Sequence, residues 1–286
     1  MDHATRPDAE TASFAAQSPR VALASSCGIA VMAKASVPGL TKTRLVPPLT
    51  HEEAAALNTV FLQDVTGNML LAAGQATPGA SISGYAAYGP PGSEEFFRRH
   101  LPQSIGLIEA WLPNFGDCLH HTICEILARG HAAAVVLNAD SPTLPTALLN
   151  ETAEVLAQPG DRGVLGPSSD GGYYLLGLKT AHQRMFDDIA WSTDRVAEQT
   201  RERAREIGLE LHVLPTWYDV DDIETLRRLH GELSPCEPAG VRPAAPELRV
   251  RPHHARHTAE LLNRLWPDGA LSRGLHRVGQ IEEAGA

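Results

Sequence analysis

Residues 132–145 read AAAVVLNADSPTLP, and the reading of this stretch decides the fold class. Ala133 to Leu137 is a short apolar run with two valines, bounded by Gly130 and His131 before it and by a Pro-rich turn after it. That is the pattern of a central strand covered on both faces. Asn138, Asp140 and Ser141 stand where the strand ends. In open α/β sheets ligands bind beyond the carboxyl ends of the strands. A carboxylate delivered there by a rigid strand suits a hard metal ion or a polar substrate. Asp140 also has a second reading, as the cap of a helix after Pro142, because Asp is a favoured capping residue.

Outward from this strand, apolar patterns alternate. Strands are predicted over 28–34, 81–88, 105–111, 163–166, 173–178 and 210–214. Helices are predicted over 51–73, 94–100, 117–129, 146–157, 193–208 and from 223 onward. Thr50 followed by Glu53 is a capping-box start for the first long helix. Strands alternating with helices mean an α/β fold with a largely parallel sheet. The pattern implies a globular domain over 27–233. Residues 1–26 read as a disordered arm. Residues 234–286 read as a Pro- and Arg-rich solvated extension, with one short amphipathic helix over 257–266.

Composition narrows the function classes. The chain has 286 residues and is 43% hydrophobic, enough for a sizeable core, but only 5% aromatic. A formal net charge of -10 argues against nonspecific nucleic-acid binding, which needs a basic footprint. No stretch is apolar and long enough to span a membrane. A cytoplasmic protein is the expectation, and the four scattered cysteines fit free thiols.

Four loops carry candidate chemistry. The loop after the first strand contains Lys34, Gly39, Lys42, Thr43 and Arg44. Cations and a glycine at such a junction suit phosphates, although neither GxxxxGK[ST] nor GxGxxG is present. The second loop presents Asn138 and Asp140. The third is Asp170-Gly171-Gly172, where two glycines permit close approach of a ligand or simply a turn. The fourth is Asp219, Asp221 and Asp222. Asp219 and Asp221 are two apart and point the same way in an extended segment, so they read as metal ligands. Asp222 reads as the cap of the helix from Ile223. Acidic loops with cations beside them describe a metal–diphosphate site.

Five ordered motifs then resemble one family: KASVPGLTKTRL (34–45), NADSPTLP (138–145), GPSSDGGYYLLGL (166–178), IAWST (189–193) and WYDVDDIETL (217–226). The chain resembles the DUF2064 glycosyltransferase-like proteins, relatives of the GT-A nucleotide-diphospho-sugar transferases and of the phospholactate guanylyltransferases. The resemblance implies a GT-A-like three-layer α/β/α sandwich with a mostly parallel mixed sheet. It implies a divalent metal, Mg²⁺ or Mn²⁺, on Asp140, Asp219 and Asp221. Lys34, Gly39, Lys42, Thr43, Arg44 and Asn138 would then bind the nucleotide, and Asp170, Lys42 and Arg44 would act in catalysis. The implied partners are a nucleotide-sugar or nucleoside triphosphate and a small-molecule acceptor. Glycosyl transfer leads. Nucleotidyl transfer with pyrophosphate release, and a non-catalytic nucleotide-binding relative, stand as alternatives. The chain departs from the family pattern at Leu112–Cys118, which lacks a Gln and a second Gly, and at Asn138-Ala139, where Gly-Ser or Gly-Thr is usual.

Overall fold

The computed structural model describes residues 25–234 and 250–267, with Leu23 and Leu271. Most of the arm expected over 1–26, all of 235–249 and most of 268–286 lie outside the described residues, and Ser26, counted in that arm, begins the first strand. Seven strands form one sheet: β1 Ser26–Lys34, β2 Ser81–Gly89, β3 Gly106–Glu109, β4 Ala133–Leu137, β5 Arg162–Pro167, β6 Tyr173–Leu178 and β7 Glu210–Val213. Among the described residues seven helices surround it: α1 His51–Gln75, α2 Glu94–His100, α3 Phe115–Ala128, α4 Thr146–Ala157, α5 Val196–Glu206, α6 Ile223–Leu233 and α7 Arg256–Leu265.

The strand order is β3-β2-β1-β4-β6-β5-β7. β6 runs antiparallel to both of its neighbours, and every other pairing is parallel. β4 is buried at all five positions. It lies between β1 and β6, as its unbroken apolar run requires. The pleat sorts its side chains. Val135 and Leu137, with Ile29 and Val31 of β1, face a core built with α1, α4, α6 and α7. Ala134 and Val136, with Ala30, face a second core built with Leu119, Ile123 and Ile126 of α3. The result is the mixed α/β/α sandwich that the family resemblance implied.

Local signals account for the starts of α1 and α6. The Thr50 hydroxyl accepts from Glu53 N at 3.1 Å, and Glu53 Oε2 accepts from Thr50 N at 2.8 Å, closing the capping box of α1. Asp222 Oδ1 accepts from Thr225 N at 2.8 Å at the start of α6. One expectation is corrected. The stretch 256–266 is packed rather than solvated, because Leu261, Leu262 and Trp266 join the first core. Asp64, buried in the middle of α1, accepts from His257 N at 3.0 Å and from Thr258 N at 2.7 Å. It thereby caps the first turn of α7, whose open N–H groups favour a carboxylate.

Candidate active site

The chain passes from β1 to β2 on one side of β1 and reaches β4 on the other. The carboxyl ends of β1 and β4 therefore form a topological switch point, where a crevice opens. Lys42 follows β1 and Asp140 follows β4. They meet across that crevice, Lys42 Nζ lying 2.6 Å from Asp140 Oδ1. The same ammonium donates to the Val220 carbonyl at 2.8 Å and lies 3.8 Å from Asp221 Oδ1. It also stands over the Phe61 ring, 4.8 Å from the centroid. Lys42 reaches this position through a left-handed backbone at φ 48, ψ 40. Its side chain is only 5% exposed.

The acidic loop is tied to β4 by backbone. Val220 N donates to the Asp140 carbonyl at 2.9 Å, and the Ser141 hydroxyl donates to the Tyr218 carbonyl at 2.9 Å. The 168–172 turn joins them. Ser169 N donates to the Trp217 carbonyl at 2.9 Å, and the Ser168 hydroxyl donates to Asp219 Oδ1 at 3.2 Å. Asp170, Asp219 and Asp221 thus crowd one another. Burial, then the charges of Asp170 and Asp221, push the Asp219 carboxyl up to about 6. Burial and the Asp140 charge raise Asp221 too, against the lowering pull of Lys42 and Arg44. Carboxylates raised first by burial and then by one another's charge mark a place suited to a cation.

A cleft of about 620 Å³ opens here, lined by Lys42, Thr43, Arg44, Asp170 and Asp221, and by Phe115, Tyr173 and the 191–194 loop. A recess of about 190 Å³ adjoins it, with Asn138 and Asp140 in its lining. The Asn138 Oδ1 is buried without a hydrogen-bond partner. Lys34 and Gly39 line neither space. The Lys34 ammonium donates to the Leu40 carbonyl at 3.0 Å and braces its own loop. Sequence reasoning named no role for Phe115, Tyr173, Trp191 or Asp194. The motif at 189–193 contains Trp191 and the motif at 166–178 contains Tyr173, and the scarcity of aromatic residues makes three in one cleft notable.

Residues 72–193 match the family model DUF2064, described as an uncharacterized protein conserved in bacteria. No curated protein matches the chain. Among solved structures, the chain is similar to a Desulfovibrio desulfuricans G20 protein provisionally named a nucleotide-diphospho-sugar transferase. The identity is 25% and the TM-score 0.69, over 88% of this chain and 98% of that one. A cytidylyltransferase from Leptospira borgpetersenii serovar Hardjo-bovis (strain JB197) aligns at 10% identity and a TM-score of 0.45, over 90% and 99% of the two chains. A Mycobacterium tuberculosis H37Rv protein in complex with manganese aligns at 15% identity and a TM-score of 0.40, over 71% and 97%. At those scores the last two likenesses say nothing about what this chain does. By the matched segment and by its fold, the chain is shown to resemble the DUF2064 family, as its five motifs indicated.

Proposed function

We propose that the chain is a metal-dependent glycosyltransferase that moves a sugar from a nucleotide-diphospho-sugar to a small-molecule acceptor. The observation that carries this reading is the meeting of Lys42, Asp140 and Asp221 at the switch point, beside the crowded Asp219. The likeness to the Desulfovibrio protein, over 88% of this chain, supports it.

The donor set fits a hard divalent ion, since Asp140, Asp219 and Asp221 offer only carboxylate oxygens, and Lys42 is the one ammonium shared between Asp140 and Asp221. Among the described residues no three ligating side chains converge on one point. Mg²⁺ at phosphate sites uses one or two carboxylates and completes its shell with water and phosphate. When bound, the ion supplies positive charge to the diphosphate.

The chain's own residues do the rest. Lys42 and Arg44 neutralise charge on the departing diphosphate. Lys42 is held by Asp140 and by the Val220 carbonyl, so little reorganisation is needed as charge develops. In the transfer, the bond from the sugar's anomeric carbon to the diphosphate oxygen breaks and a bond to the acceptor oxygen forms. Asp170 lines the cleft and takes the acceptor's proton. Its Oδ1 is held by Gly172 N at 2.9 Å, which fixes the carboxylate.

A thermal-shift panel of nucleotides and nucleotide-sugars, with and without Mn²⁺, tests the reading, because a bound ligand stabilises the fold by mass action. Stabilisation by a nucleotide-sugar only with Mn²⁺, and release of nucleoside diphosphate on turnover, are the expected results. Release of pyrophosphate from a triphosphate would assign nucleotidyl transfer instead. No response to any nucleotide would leave a non-catalytic relative.

A further inference from the structure

The geometry points to Trp191 as the platform for the sugar ring of the nucleotide-sugar, in a subsite shared with Phe115, Tyr173, Asp170 and Asp194. This inference rests on the nucleotide-sugar reading and names the part of the cleft that would take the sugar.

The three rings are built against one another. Phe115 and Trp191 meet edge to face with centroids 5.5 Å apart at 84°, and Tyr173 meets Trp191 at 6.4 Å and 79°. The indole is docked on backbone. A Cβ added at Gly116 would stand 2.8 Å from Trp191 Nε1. Its loop is pinned at the other side as well. A Cβ at Gly171, at φ +90, would stand 2.0 Å from the Asp194 carbonyl oxygen, and Ala197 N donates to the Gly171 carbonyl at 2.9 Å. Ser192 holds a left-handed φ of 64 in that loop, a conformation that costs a non-glycine residue energy. Such a clamp presents an aromatic wall rigidly to the cleft.

The chemistry of the wall selects a sugar. A pyranose has apolar C–H faces and a rim of hydroxyls. The aromatic faces take the former by burial, and the Asp170 and Asp194 carboxylates accept from the latter. Phosphates are repelled by those carboxylates and belong with Lys42 and Arg44. The base has a better place in the adjoining recess, which Asn138 lines together with Met32, Leu119 and Val136. Phe115 and Tyr173 line both spaces, so a nucleotide-sugar can run from one to the other.

The test is calorimetric titration, with Mn²⁺, of paired ligands into the full chain: UDP with UDP-glucose, GDP with GDP-mannose, dTDP with dTDP-glucose. For the pair that binds, the wild type is expected to hold the nucleotide-sugar roughly tenfold more tightly than the bare diphosphate. Trp191→Ala is expected to bring that ratio near one while leaving the diphosphate affinity unchanged, and Trp191→Phe to restore most of it. Phe115→Ala, at a side chain already half exposed, is expected to lower the ratio in a protein that still folds. An unchanged ratio in Trp191→Ala and Phe115→Ala would overturn the subsite. Equal weakening of diphosphate and nucleotide-sugar would also overturn it, by showing that the indole stacks on the base. Failure of the wild type to bind any nucleotide would instead remove the nucleotide-sugar reading, and the subsite with it.

Discussion

Lys42 Nζ, almost wholly buried, is shared between Asp140, the Val220 carbonyl and Asp221. Replacing it by Met would leave the Asp140 carboxylate without its nearest cation. Asp140 is 35% exposed, so water screens part of that loss. A cost of about 1–2 kcal/mol in urea-induced unfolding is expected. Asp219 is the opposite case. A carboxyl raised from 3.8 to about 6 on folding contributes stability that is full below 3.8 and is lost as pH rises through about 6, so ionised Asp219 weakens the fold at neutral pH. Asp219→Asn is therefore expected to gain on the order of 1 kcal/mol once partial exposure is allowed for, read as a melting rise of a few degrees. The same variant is expected to lose Mn²⁺-dependent nucleotide binding. A variant that stabilises while disabling is the mark of a site kept strained for use. The acidic residues themselves were legible in the sequence, since strand ends and spacing single them out. The aim of Lys42 was not. It depends on a left-handed backbone at a lysine and on a carbonyl 178 positions away.

Among the elements, β4 and its loop follow directly from an apolar run and its abrupt polar end. The direction of β6 does not follow from its own YYLLGL, which reads alike in either orientation. The signal lay in the connection. Only residues 168–172 separate β5 from β6, and so short a link joins antiparallel strands, because parallel ones need a crossover of a dozen residues or more. The turn there has no room for a side chain at Gly171. Gly171→Ala is expected to cost about 2 kcal/mol or more and to loosen the 191–194 loop, measured as faster hydrogen exchange at Ala197 N. At the opposite end of the sheet, His131 joins β1 to β2. The Ser26 hydroxyl donates to the Leu23 carbonyl and accepts from His131 Nδ1 at 2.6 Å, and Nε2 accepts from the Tyr85 hydroxyl at 2.7 Å. Burial, with the Arg129 cation, holds His131 below its ordinary 6.5. The folded chain keeps it neutral while the unfolded chain takes up a proton, so this stability is present above pH 6.5 and lost as pH falls below it. His131→Gln is expected to show a shallower acid limb in a stability–pH profile than the wild type.

At the scale of the whole molecule, the carboxyl-terminal helix belongs to the core. Its amphipathic pattern was readable, but its partner was not, because Asp64 lies 193 positions before His257. A buried Asp on the apolar face of α1, between Phe61 and Met69, was the available hint. Truncation after residue 249 would remove the core contacts of Leu261, Leu262 and Trp266 and leave the buried Asp64 carboxylate without the His257 and Thr258 N–H donors. At about 1.5–3 kcal/mol for each large apolar side chain, a loss of several kcal/mol in denaturant unfolding is expected. The site, by contrast, gathers the loops that follow β1, β4, β5 and β7 at the carboxyl ends of those strands. A chain with net charge -10 concentrates two cations, Lys42 and Arg44, where the reading needs a diphosphate. Calorimetric titration of the nucleoside diphosphate selected by the ligand panel, with Mn²⁺ and with chelator, into the wild type and Asp140→Ala tests that claim most directly. The account predicts binding to the wild type that is lost on chelation and is at least about a hundredfold weaker in Asp140→Ala. Equal affinity in both proteins, or binding indifferent to Mn²⁺, would contradict it.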